Sequence, residues 1–97
     1  MPNIDAPFYQ ALESCLEDGD AIARLAWENE KVVIAQKGYP EGIAINSNTA
    51  QATGRPEGTT MRFLPYLMEH DIESDTCVPW APTQEDIFAT DWFVAQK

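Results

Sequence analysis

The chain reads as an α+β domain: an N-terminal helix packed on a mostly antiparallel sheet, with a short second helix before the last strand. Three observations carry this reading. Apolar residues recur at helical spacing only near the start, β-branched and aromatic runs separated by turn residues fill the middle, and a helix-capping pattern precedes a final aromatic segment.

From Pro7 to Asp18, the residues Phe8, Ala11, Leu12, Cys15 and Leu16 fall on one helical face. Asp5 is placed to cap that helix, Pro7 sits near its first position where a missing N–H costs nothing, and Gly19 is placed to end it. Ala21 to Trp27 and Val32 to Gln36 then read as a hairpin turning at Glu28, Asn29 and Glu30. Between Gly38 and Gly58 the pattern dissolves, and GYPEG and GRPEG (Gly38–Gly42 and Gly54–Gly58) are expected to form tight turns in a long surface loop. Thr60 to Met68 reads as one strand, confined by Pro65 to an edge or a bulge. DIESD makes a turn, TCVPW resumes the strand, Thr83 and Asp86 form a capping box for a helix over Gln84 to Ala89, and Asp91 to Val94 closes the sheet.

With 97 residues, 44% of them apolar, the chain is one folded domain with a small core. No apolar run is long enough to span a membrane, and the N-terminal MPNIDAPFYQ lacks the basic start and apolar stretch of a secretory signal, so a cytoplasmic protein is expected. Sixteen acidic residues against six basic ones give a net charge of -10, which argues against a groove that tracks a nucleic-acid backbone. Cys15 and Cys77 lie far apart, without metal-ligand spacing, and are expected to be buried free thiols. Asp71, Glu73 and Asp75 alternate like calcium ligands, but Thr76 stands where that loop needs glycine and Pro82 where it needs glutamate. His70, the lone histidine, has no nucleophile motif to serve, and no phosphate-binding glycine motif is present. Paired acids such as Glu85 with Asp86 arise by chance in so acidic a chain, so the sequence carries no catalytic, metal or cofactor signature.

Binding chemistry is the stronger signal. Trp27, Trp80 and Trp92 each carry a flat face, and stacking a base on an aromatic ring is worth about 1–3 kcal/mol. The ordinary fate of a tryptophan in so small a domain is the core or an interface. Trp27, beside Asn29 at the hairpin edge, and Trp80, just ahead of a helix start, are the better pocket candidates. Free N–H groups at that helix start attract anions, while Glu85 and Asp86 compete for them.

ALESCLEDGDAIARLAW, a variable middle, EGT before a proline-containing strand, and VPWAPTQEDIFATDWFV together resemble the Thoeris anti-defence two-like family of small phage proteins across most of the chain. The matching positions are Arg24 with Trp27, then Pro79 and Trp80, followed by Thr83, Gln84, Asp86, Ala89, Asp91 and Trp92. The resemblance implies a single domain over 1–97 that is a sponge and not an enzyme. Such a protein binds, without cleaving, a cyclic ADP-ribose isomer made by TIR-domain immune proteins in the host bacterial cytoplasm, and some members also capture cyclic oligonucleotides. It implies a homo-oligomer, typically a tetramer, with pockets between subunits, and neither a cofactor nor a nucleic-acid partner. On that resemblance Trp27 and Trp80 enclose the adenine and ribose, and Asn29, Thr83, Gln84 and Asp86 hydrogen-bond hydroxyls or base edges. Arg24, Lys31, Arg55 and Arg62 are the cations available to a pyrophosphate, with Arg55 on the long loop able to fold over it.

Two departures bear on ligand choice: Glu28-Asn29-Glu30 where the family commonly has Asn-Gly, and Leu64 where a basic residue often precedes the proline. Two rival readings are an acidic decoy that imitates DNA, motivated by the -10 charge, and a small hydrolase or cyclase, motivated by the acids near the presumed pocket.

Overall fold

The computed structural model describes residues 6–95 of the chain. The first helix, α1, spans Phe8–Asp18 and starts from Pro7, while the expected cap at Asp5 lies outside the described residues. Gly19, with φ 72°, returns its N–H to the carbonyl of Ser14 and ends the helix as expected. Strand β1 (Ile22–Arg24) then passes into a single 3-10 turn over Leu25–Trp27. Positive φ at Glu28 and Asn29 reverses the chain into β2 (Lys31–Gln36), which pairs antiparallel with β1 as a hairpin requires, although Leu25–Trp27, expected in the first strand, form the 3-10 turn instead.

The middle of the chain corrects the expectation of a long loop. β3 (Tyr39–Ala44) and β4 (Thr60–Phe63) pair antiparallel, and α2 (Ser47–Thr53) joins them. Asn46 caps α2 by accepting the Thr49 N–H at 2.9 Å. GYPEG is therefore mostly strand, whereas GRPEG forms turns after Gly54 ends α2. The expected single strand over Thr60–Met68 is also two strands, because Pro65 separates β4 from β5 (Tyr66–Asp71). β5 pairs with β2 along its whole length and is an interior strand, so Pro65 marks a break between sheets instead of an edge.

These segments make one long hairpin, β2–β3 running out and β4–β5 running back, hinged where Gly38 meets Phe63 and Leu64. Gly38 has φ 67°, and a Cβ there would lie 2.4 Å from the Phe63 carbonyl oxygen, so no other residue fits the bend. Past the hinge, β3, α2 and β4 form an arm. The radius of gyration is 16.3 Å and the extents are 49 × 27 × 27 Å, whereas a compact chain of this length has a radius of about 12.5 Å.

The body holds a five-stranded antiparallel sheet in the order β6-β5-β2-β1-β7, completed by β6 (Thr76–Pro79) and β7 (Trp92–Val94). Ala6 exchanges two backbone hydrogen bonds with Trp92 and ties the entry to α1 onto β7. Between β6 and β7, Thr83 caps α3 (Gln84–Phe88) with the expected capping box. Ala11 and Cys15 of α1 pack on Ile22, Val33 and Trp92 from one sheet face. Cys15 is buried and its thiol is pushed up by burial and by nearby Asp20, but Cys77 is exposed on β6, contrary to expectation, because that strand is a sheet edge. His70 is half-buried and lies 2.9 Å from Asp75 in the turn that follows β5. Among the described residues no helix is long and apolar enough to cross a membrane.

Candidate functional site: two indoles over a buried ion network

Three sequence-distant segments meet at one end of α1. The 3-10 turn after β1 supplies Trp27, the link from β6 to α3 supplies Trp80, and β7 supplies Trp92. Trp92 is fully buried, with its indole N–H donated to the Asp86 carbonyl at 2.9 Å. Trp27 and Trp80 are half-buried and stand edge to face, with ring centroids 6.3 Å apart and planes at 76°. Each also meets Trp92 edge to face, and Phe8 closes the cluster 6.1 Å from Trp80. Edge-to-face contacts set the positive rim of one ring against the negative face of the next, so this cluster holds both outer indoles in fixed orientations. The Lys31 ammonium lies 4.6 Å from the centre of the Trp27 ring and 3.2 Å from Glu69.

Beneath the indoles runs an ion network. Arg24 is buried, donating from Nε to Asp91 Oδ1 at 2.9 Å and from Nη1 to Asp86 Oδ1 at 3.0 Å. Its guanidinium is held further protonated by the hydrogen bond to Asp91, against the opposing effect of burial. Burial disfavours the charge of Asp86, but the Thr83 N–H and the Arg24 guanidinium outweigh it and hold the carboxyl below its ordinary range. Asp91 is likewise held low: burial opposes its charge, and Arg24 and the Ala26 N–H overcome that. Asp86 Oδ2 accepts the Thr83 N–H at 3.0 Å while Thr83 Oγ1 accepts the Asp86 N–H at 3.1 Å. The cap of α3 is thus welded to β1 and β7 through one arginine.

The structure therefore gathers Arg24, Trp27, Trp80, Thr83, Gln84 and Asp86. Gln84, the first residue of α3, is exposed and lies next to the capping pair. Asn29 is also exposed, in the turn just after Trp27, where with Glu30, Asp71, Ile72 and Glu73 it lines a hollow of about 390 Å3. Arg55 lies elsewhere, exposed on the arm after α2. Of the four cations expected to be available to a pyrophosphate, Arg24 is bound to Asp86 and Asp91 and lies 3.6 Å from exposed Glu85, Lys31 is bound to Glu69 and Trp27, and Arg62 Nε to the Pro40 carbonyl at 2.8 Å. Arg55 joins no ion pair among the described residues. No group of three or more His, Cys, Asp or Glu side chains is placed there to hold a metal.

The sequence names Asp91 only as a family-matching position, Lys31 only as a cation available to a pyrophosphate and Phe8 only as part of a helix face, and gives none of them the supporting role it has here. Asp91 directly precedes Trp92, whose register opposite Arg24 brings the acid to the guanidinium. That pairing is invisible until β7 is aligned on β1.

A family model described as the Thoeris anti-defense 2-like domain (Tad2-like) matches residues 6–95. A comparison with curated proteins finds no match.

Proposed function

The chain belongs to the Thoeris anti-defense 2-like family, and from that premise we propose that it is a phage sponge that binds a cyclic ADP-ribose isomer and withholds it without cleaving it. The signal is one made by TIR-domain immune proteins in the host bacterial cytoplasm, and cyclic oligonucleotides are a second ligand class to try. The observation that carries the reading is the pair of half-buried indoles, Trp27 and Trp80, held at a fixed angle by Trp92 and Phe8. The two rings touch each other edge to face, so a base would stack on the outward face of one of them and a second subunit would close the other side.

Binding without turnover agrees with the electrostatics. Asp86 is held ionised by the Thr83 N–H and Arg24, and Asp91 by Arg24 and the Ala26 N–H, so neither has a proton to give as a general acid near neutral pH. Exposed Gln84 and Asn29 supply polar contacts, and Thr83 fixes the start of α3 next to Gln84.

A sponge must hold a dilute signal at roughly nanomolar strength, about 12 kcal/mol, and one stack contributes only about 1–3 kcal/mol of that. A pocket completed by a second subunit supplies the rest through enclosure, which is why the working form is proposed to be a homo-oligomer, a tetramer as in the family resemblance. Calorimetry of the purified chain against cyclic ADP-ribose isomers and cyclic oligonucleotides tests the proposal. At least one should bind at nanomolar concentration and return with unchanged mass after long incubation. Gln84→Ala should weaken that binding about tenfold, one hydrogen bond's worth. Silence across the panel overturns the sponge, and a changed ligand mass overturns the non-catalytic part.

A further inference from the structure

We propose that the β3–α2–β4 arm is a self-association element: in an antiparallel pair of copies, each arm lies across the open face of its partner's five-stranded sheet. This rests on the association proposed above and specifies its surface.

The register defines the open face. Residues directly opposed on antiparallel strands share a face, so Ile22, Val33 and Trp92 point toward α1, while half-buried Val32, Ile34, Met68 and Phe93, and Ala23, which is itself buried, point away. α1 packs on the first set, α3 packs on α1, and α2 belongs to the arm, so among the described residues no helix covers the second set. An antiparallel sheet with one solvated face alternates apolar with polar residues. β2 instead reads Val32-Val33-Ile34-Ala35, apolar on both sides, as in a strand covered twice.

Charge points to the occupant. Residues 37–63 carry Lys37, Arg55 and Arg62 against Glu41 and Glu57, a net of +1, whereas the other described residues carry Arg24 and Lys31 against thirteen carboxylates, a net of -11. Four of those carboxylates, Glu28, Glu30, Glu73 and Asp75, sit in the two turns at the end of the β2–β5 ladder farthest from the arm. Each copy is thus a rod 49 Å long with its excess negative charge toward one end, and antiparallel pairing sets each arm over the other's acidic turns. The arm also exposes Tyr39, Ile43, Phe63 and Leu64, which give it an apolar surface to match the sheet.

Five strands spaced about 4.8 Å apart and rising about 3.3 Å per residue make a face of roughly 400 Å2. Covering that face on both copies with two arms removes about 1,600 Å2, the size of a standard stable interface. The same pairing carries the partner's Arg55 toward the Asn29 turn, which one chain keeps at the opposite end of its own hairpin.

Sedimentation velocity of the full chain should give a dimer or a multiple of it at micromolar concentration, and Lys37→Glu with Arg55→Glu should weaken association at least tenfold while tryptophan fluorescence stays native. Cys77, exposed on β6 and opposite His70 on the open face, supplies the positional test. A chain carrying Cys77→Ser and Ile43→Cys, mixed with the unaltered chain, should form bismaleimide crosslinks between residue 43 of one and Cys77 of the other. A monomer at every concentration overturns both this arrangement and the association beneath it. An oligomer whose crosslinks never join arm to sheet overturns the arrangement alone.

Discussion

The two halves of the long hairpin obey different rules. In the body, β2 packs under α1 and pairs with β5 along its whole length, and Cys15, Ile22, Val33 and Trp92 are fully buried. In the arm, β3 and β4 also pair antiparallel, with a register shift between Tyr39 and Ile43, and Ile45 is the one hydrophobic residue among those described from 39 to 63 that is buried. A ladder of backbone hydrogen bonds is common to both, and only one has a core. A two-stranded ribbon is marginal in water without something packed against it, so the body sets global stability and the arm opens below it until another surface covers it.

The hardest way to break the body is through Arg24. Arg24→Met leaves Asp86 and Asp91 partly buried without their counter-charge, a loss of about 3–5 kcal/mol out of the roughly 5–15 kcal/mol that stabilises a domain this size. Urea unfolding followed by the fluorescence of the three tryptophans, all in the body, should lose most of its native baseline. Acid attacks the same network reversibly. Both carboxyls are held below the ordinary value of about 3.9 in the folded state. Their contribution is therefore complete above that value and drains away as pH falls through the lower folded-state values. Urea midpoints measured from about pH 5 down to about pH 2 should fall, and Asp86→Asn should flatten that part of the profile.

The arm breaks at its hinge. Gly38→Ala puts a side chain into a left-handed conformation that costs about 1–2 kcal/mol and drives its Cβ against the Phe63 carbonyl, 2.4 Å away. Hydrogen exchange of β3 and β4 amides in dilute protein should speed about tenfold or more, while the tryptophan-monitored urea midpoint barely moves. A global midpoint that drops with the arm would abolish the distinction between the two halves.

What could be read in advance divides along the same line. Features written within a few residues were legible: the Gly19 stop, the turn at Glu28 and Asn29, and the capping box, whose two partners are three residues apart. The arm was not, because β3 and β4 have no buried face to impose an apolar alternation, and their Pro and Gly residues serve a bend and an edge. The site was legible as residue types and not as roles. Arg24 meets Asp86 and Asp91 across separations of 62 and 67 residues, so nothing local marks it as the clamp of α3. Cys77 reads as an ordinary buried thiol until the sheet order makes β6 an edge.

The smallest predicted effect tests whether the cap of α3 serves the site or only the fold. Thr83→Ala removes the hydroxyl that accepts the Asp86 N–H and frees one half of the capping box, a loss of about 1 kcal/mol in urea unfolding. Thr83→Ser keeps the oxygen and should recover most of that. The arm should not register either change, since α1 and Trp92, which α3 packs on and hydrogen-bonds, belong to the body. Ligand affinity separates the two roles: if the cap only steadies the body, Thr83→Ala leaves the calorimetric Kd unchanged. If it aims Gln84, the affinity falls along with the stability, and both return with serine.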